Sequence, residues 1–238
     1  MEHTETGMTS MPVAGKNGNQ EQGNSKIKIC GLTRETDILC VNALKPEYIG
    51  FVFWEKSKRR VTLEQAQQLE RKLDTDICPV GVFVREDREQ VIRLLDRGII
   101  HMAQLHGEEE PEYYEWLRSR TDKPLIQALT FKGDRGEERM QRLLLMAKQC
   151  RPDYYLLDSG MGSGKPFDWQ LAESLLTQLR GELSKPFFLA GGLDCENVQD
   201  AVRQICPYVV DVSSGVETGG CKDPEKMRAF VRAVRESR

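Results

Sequence analysis

Histidine is scarce in this sequence, with three in 238 residues. The seven cysteines, at 30, 40, 78, 150, 195, 206 and 221, are never within four positions of each other. No CxxC clip is therefore available for zinc or for dithiol redox work. These two shortages argue against a metal site, and the reading assigns none. Positive charge is not in excess either: 34 Lys plus Arg against 37 Asp plus Glu leaves a formal net charge of −3. Nucleic acid would find no electrostatic footprint on such a chain. No apolar run approaches the ~18–20 residues that span a bilayer. The start of the chain lacks the basic opening and apolar stretch of a secretory leader. An odd, scattered cysteine set suits a reducing compartment, so the expected location is cytoplasmic, with neither nucleic acid nor membrane as partner.

What is present reads as one folded unit behind a tail. Hydrophobic residues make up 39% and charged residues 30%, enough to bury a substantial core. Residues 1–25 have almost no large apolar side chains and cannot offset the entropy of ordering, so they read as a disordered polar tail. From 26 to 238 the texture changes to a single domain. Eight short β-prone runs, at 26–30, 48–53, 79–84, 99–105, 124–129, 153–158, 186–190 and 207–212, alternate with helix-period segments. Val198, Ala201, Val202 and Ile205 share one helical stripe, as do Met227, Phe230, Val231 and Val234, and Met140, Leu143, Leu144 and Ala147. Thr62 with Gln65 and Asp87 with Gln90 resemble capping boxes, and Pro111 and Pro224 suit a first helical turn. IGFVF and PVGVFV are apolar on both faces, as strands of a parallel sheet must be. Eight strand–helix units predict an α/β fold, a (β/α)8 TIM barrel, over the rival doubly wound open sheet. Chemistry then belongs at the C-terminal ends of the strands.

The strand ends carry distinctive residues. The first run ends at Cys30, followed by Gly31. Cys30 reads either as a small buried hydrophobe or as a thiolate base or nucleophile, the latter needing positive potential nearby. Gly31 leaves room beside it for a substrate. After the second run come Lys56, Lys58, Arg59 and Arg60, either a solvated basic turn or a site for an anionic group. Gln104 and His106 share one face of the fourth run, and His101 lies on the other. Asp158 closes an apolar run, where a carboxylate needs a partner or a chemical task. Gly160, Gly162 and Gly164 follow it, but Lys165 and Pro166 spoil both the dinucleotide and the P-loop fingerprints. Gly191, Gly192, Ser213, Ser214 and Gly215 end the last two runs and can offer backbone N–H groups and hydroxyls to a phosphate. Asp211 projects to the same side as Ser213, so it is a second carboxylate near the site if that side is the interior.

KICGLT, GFVFWEKSKR, VGVFV, QLHGEE, LLDSGMGSGKPFDW, LAGGLDCENV and VDVSSGVE, in this order, resemble the phosphoribosylanthranilate isomerase family of tryptophan biosynthesis. The resemblance runs from Lys26 to about Val234. It implies an Amadori rearrangement of a phosphosugar substrate, with Cys30 as general base and Asp158 as general acid, and with no cofactor. It places Arg59 on the substrate carboxylate and the glycine and serine turns on the phosphate. His106 and Asp211 are further candidate substrate contacts. The departures are a short loop after Asp158, Gln127 where lysine is frequent, and a tail without counterpart. An indole-glycerol-phosphate synthase would want a catalytic lysine, and Lys28 does not end its strand. A histidine-pathway isomerase would carry aspartate where Cys30 stands, and a metal-dependent epimerase would need ligands absent from this sequence. A non-catalytic phosphate-binding barrel is the alternative outside enzymes. Oligomeric state is not predicted.

Overall fold

The computed structural model describes residues 25–130, 137–158 and 185–237. Within them the eight β-prone runs form eight strands: β1 Lys26–Cys30, β2 Tyr48–Val52, β3 Cys78–Phe83, β4 Met102–Leu105, β5 Leu125–Thr130, β6 Tyr154–Asp158, β7 Phe187–Ala190 and β8 Val209–Val212. They pair in sequence order, and β8 returns to β1 to close a barrel. Every pairing between barrel strands is parallel. The TIM-barrel expectation therefore holds, and the open sheet is excluded. Most predicted strand bounds agree within a residue or two. The run from 99 begins its strand later, at Met102, because the backbone N–H groups of Ile99 and Ile100 donate to Leu94 O instead of to a neighbouring strand.

Helices α1 Glu35–Leu44, α2 Leu63–Glu70, α3 Arg88–Asp96, α4 Pro111–Arg118 and α5 Glu137–Cys150 follow the first five strands. The helix Val198–Ile205 (α6) joins β7 to β8, and Pro224–Glu236 (α7) closes the chain. Local sequence explains their starts. Thr62 and Gln65 make the reciprocal capping box, each side chain bonding the other's backbone N–H. Asp87 caps Glu89 N instead of pairing with Gln90, so the second predicted box reduces to a single cap. Pro111 and Pro224 each occupy the first helical turn. The α6 and α7 stripes are buried as predicted. In the third stripe Ala147 is buried, while the side chains of Met140, Leu143 and Leu144 lie outside the described residues.

The pleat sorts each strand into two cores. Ile27, Ile29, Ile49, Phe51 and Leu105 face outward and pack beneath the helices. Tyr48, Val80, Met102, Ile126, Leu156, Phe188 and Val209 fill the barrel interior. Burying each large aliphatic or aromatic side chain contributes ~1.5–3 kcal/mol, so the interior is a packed plug and not a pore. The predicted tail lies outside the described residues except for Ser25, whose hydroxyl donates to Pro207 O at 2.7 Å. The chain is thus fastened one residue before the predicted boundary.

Candidate active site

Strand register builds the site. Asp158 pairs with Ala190, Ala190 with Asp211, and Asp211 with Lys28. Residues directly opposite in a sheet share a face, so these four form one row around the interior. Cys30 lies two residues beyond Lys28 and shares that face. Both reactive candidates therefore project inward from the C-terminal ends of their strands, on the same rim, with β7 and β8 between them. Cys30 is partly exposed, and the Asp158 side chain is 23% exposed.

Lys28 is completely buried. Its ammonium donates to Asp211 Oδ2 at 2.7 Å and to Gln104 Oε1 at 2.9 Å, and Cys30 lies two residues further along the same face of β1. Gln104 presents its amide nitrogen 3.1 Å from His106 Nδ1. Because an ammonium can only donate, the amide orientation of Gln104 is determined. Its NH2 then donates to Nδ1, which assigns the His106 proton to Nε2. Nε2 lies 3.3 Å from Asp158 Oδ2 and 3.2 Å from Thr130 Oγ1. One polar chain thus runs from Lys28, the strand neighbour of Cys30, through Gln104 and His106 to Asp158.

Electrostatics along this chain are uneven. Burial would pull Lys28 down, but Asp211 and Cys30 together outweigh it and hold the ammonium above its ordinary value. Burial pushes the Asp211 carboxyl up, against the pull of Lys28. Burial also pushes the Cys30 thiol up, while Lys28 and Lys222 oppose it. The sequence reading expected positive potential to lower Cys30. Desolvation wins instead, and Cys30 rests as the thiol. Asp211 Oδ1 is buried and has no hydrogen-bond partner among the described residues.

Glycines make room at two points. A Cβ on Gly50 would sit 2.6 Å from Cys30 Sγ, so this position must stay bare for the sulfur to face inward. Gly31, at φ +84°, clears Arg59, whose Cδ would lie 2.5 Å from an added Cβ. The space expected for a substrate beside Gly31 therefore holds an arginine. Arg59 is the one inward member of the basic run, with Lys56, Lys58 and Arg60 exposed. Its Nε and Nη2 donate to Glu217 Oε1 and Oε2 at 2.6 and 2.7 Å. Lys222 Nζ donates to Glu217 Oε1 at 2.6 Å. Burial would raise Glu217, but its two cations hold it below the usual carboxylate range.

The glycine and serine turns meet beside this cluster. Gly191 and Gly192 have φ of +95° and +68°, conformations that glycine adopts without strain. A Cβ on Gly215 would fall 1.9 Å from Leu193 O, so the turns after β7 and β8 interlock at backbone distance. Ser214 opens a short 3-10 turn, Ser214–Val216. The Ser213 hydroxyl is already engaged, donating to Cys30 O at 3.1 Å. Asn197 Nδ2 donates to Gly192 O at 2.8 Å and braces the first turn.

Among the described residues, Cys30, Arg59, His106, Asp158, Asp211 and the glycine and serine turns lie at the C-terminal rim or in the interior just below it. Gly160, Gly162, Gly164, Lys165 and Pro166 lie outside the described residues. Sequence reasoning missed Gly50, Thr130, Glu217 and Lys222, and dismissed Lys28. Lys28 did leave a signal: in KIKIC, period two puts it on the face of Cys30. Glu217 and Lys222 left none, since Arg59 is far from them in sequence.

Comparison with known proteins adds independent support. Residues 27–233 match the family profile described as N-(5'-phosphoribosyl)anthranilate (PRA) isomerase. The N-(5'-phosphoribosyl)anthranilate isomerase of Clostridium acetobutylicum is 40% identical over 216 residues, covering 89% of this chain and 98% of the relative. The crystal structure of phosphoribosyl anthranilate isomerase from Thermotoga maritima superposes with a TM-score of 0.75 at 34% identity, covering 89% of this chain and 98% of that one. A phosphoribosyl anthranilate isomerase solved with reduced 1-(o-carboxyphenylamino)-1-deoxyribulose 5-phosphate matches with a TM-score of 0.73 at 32% identity, over 89% and 98% of the two chains.

Proposed function

The chain belongs to the N-(5'-phosphoribosyl)anthranilate isomerase family, and from that premise we propose that Cys30 and Asp158 carry the family's reaction as base and acid. The reaction is the Amadori rearrangement of N-(5'-phosphoribosyl)anthranilate to 1-(2-carboxyphenylamino)-1-deoxyribulose 5-phosphate, a step of tryptophan biosynthesis. Asp158 gives a proton to the furanose ring oxygen. The C1–oxygen bond breaks and an iminium ion forms. Cys30, as thiolate, takes the proton from C2 to leave an enolamine. That species gains a proton at C1 and loses one from the C2 hydroxyl, giving the ketone. Each turnover thus leaves a proton on the sulfur and removes one from the carboxyl group, and the two must be reset.

The carrying observation is the inward projection of Cys30 and Asp158 from one rim, with the Lys28–Gln104–His106 chain running from the strand neighbour of Cys30 to Asp158. General acid and base groups each contribute ~10²–10⁴-fold. His106 orients Asp158 through Nε2. The unpaired Asp211 Oδ1 is offered to a substrate hydroxyl, which would relieve the cost of a buried, unbonded oxygen. Gly191, Gly192, Ser214 and Gly215 cradle the phosphate with backbone N–H groups, and Ser213 ties that cradle to β1. Arg59 takes the substrate carboxylate. Glu217 uses the Nε edge of the guanidinium, and the outer edge keeps donors for a second carboxylate. Residues 26–238 act as one catalytic domain. All seven cysteines are free thiols, which supports a cytoplasmic location. No described helix is long and apolar enough to cross a membrane.

The test follows the fluorescence of the substrate's anthranilate group during turnover. Cys30→Ala and Asp158→Val are each expected to lose ~10²–10⁴-fold in kcat. Undiminished turnover in both rejects the assignment. Binding of the phosphosugar without conversion by the unaltered protein favours the non-catalytic barrel.

A further inference from the structure

A fully buried lysine needs a reason to remain in a barrel interior. The Lys28 ammonium has three protons, and two of them go to oxygens, Asp211 Oδ2 and Gln104 Oε1, which make the lysine tolerable. The next residue on its face of β1, two positions on, is Cys30. The Cys30 sulfur is the atom assigned to abstract the substrate's C2 proton. We propose that Lys28 is a positioning residue for catalysis: it orients the Cys30 sulfur and stabilises its thiolate, while Asp211 keeps Lys28 charged. This rests on the reading of Cys30 as the base.

Geometry makes Lys28 the principal cation at the sulfur. Four ionisable groups act on Cys30: Lys28 from its own strand, Asp211 from β8, Lys222 from the segment after β8, and Arg59 from the segment after β2. Arg59 is committed to Glu217 through two hydrogen bonds, and Lys222 to Glu217 and Ser213 O. Of the three cations, Lys28 shares the sulfur's strand face and lowers the thiol most. Lys222 lowers it less, and Asp211 raises it. Lys28 is completely buried, so its charge is little screened by solvent. Removing Lys28 therefore disfavours the thiolate more than removing Asp211 favours it. A purely structural Lys28–Asp211 pair makes a different prediction, because its loss would alter stability and leave the sulfur's acidity alone.

The pair also accounts for the balance of charge. Replacing Lys28 alone strands a buried carboxylate and endangers folding. Replacing both leaves no unpaired charge. The informative variants are therefore Lys28→Met and the double Lys28→Met/Asp211→Asn.

The experiment measures iodoacetamide alkylation of Cys30 against pH, peptide by peptide, by mass spectrometry. Exposed Cys206 serves as the internal control. In the double variant the alkylation profile of Cys30 is expected to move to higher pH by about one unit, a ~tenfold slower reaction near neutrality. The profile of Cys206 should not move. The acidic limb of kcat/KM should shift upward in parallel, so that the activity deficit narrows as pH rises. A Cys30 profile identical to the unaltered protein's, in a double variant with unchanged circular dichroism, overturns the inference. Failure of the underlying assignment is read separately: Cys30→Ala with full turnover removes the base role, whatever the alkylation profile shows.

Discussion

Lys26 and Lys28 lie two residues apart on the same face of β1, yet the barrel treats them differently. Lys26 sits at the N-terminal mouth, partly exposed, with its ammonium 2.6 Å from the Tyr208 hydroxyl and 4.6 Å above that ring's centroid. Tyr208 stacks on Tyr154, and Tyr154 and Tyr48 both pack against Phe188. That mouth is closed by aromatic rings. Lys28, one pleat higher, is dry and faces a carboxylate, an amide and a thiol. Above it the chain opens into glycine turns and partly exposed reactive groups. The lower mouth satisfies its polar groups with one another. The upper leaves Asp211 Oδ1 without a partner among the described residues. An unsatisfied buried oxygen costs stability unless a ligand bonds it.

Substitutions can break or sharpen this contrast. The largest effect is expected at the rim, where Asp158→Asn should cut kcat by ~10²–10⁴-fold. Tyr208→Phe at the opposite mouth should leave kcat unchanged, and steady-state kinetics on both proteins decides the point. Next come the two lysines. Lys28→Met strands Asp211 and should cost about 3–5 kcal/mol in urea denaturation. Lys26→Met loses one exposed hydrogen bond and should cost about 1 kcal/mol or less. Equal losses would show that burial does not separate the two mouths. Gly215→Ala forces a methyl into Leu193 O and should destabilise by about 1–3 kcal/mol while raising KM, since the phosphate turn must move. The last prediction concerns pH. Burial raises the Cys30 thiol above its ordinary value, so kcat/KM should keep climbing with pH through neutrality and not level off below the ordinary thiol range. A profile already flat at neutral pH would show that the sulfur does not limit the reaction.

Much of the rim was legible because strands have period two and the barrel has a fixed working end. Once eight parallel strands are inferred, Cys30, Asp158, His106 and the paired turns fall at strand ends. The acidity of Cys30 was misjudged for a physical reason. A sequence shows which cations exist, but not how dry the sulfur is, and here desolvation outweighs Lys28 and Lys222. Arg59 was assigned to an anion, but its partner in the structure, Glu217, comes from the other side of the barrel seam. Gly31 looked like substrate space because nothing local reveals that Arg59 folds over it.

The sequence by itself determined the alternation of strands and helices, the inward or outward direction of each strand residue, and which side chains are candidates for the reactive groups. Those properties depend on neighbours a few residues away, through the pleat and the helical turn. Only closure of the barrel decided that Lys28 meets Asp211, that Gly50 vacates space for the Cys30 sulfur, and that Glu217 grips Arg59. Each of these contacts joins segments distant along the chain, and its strength depends on how completely the closed ring excludes water.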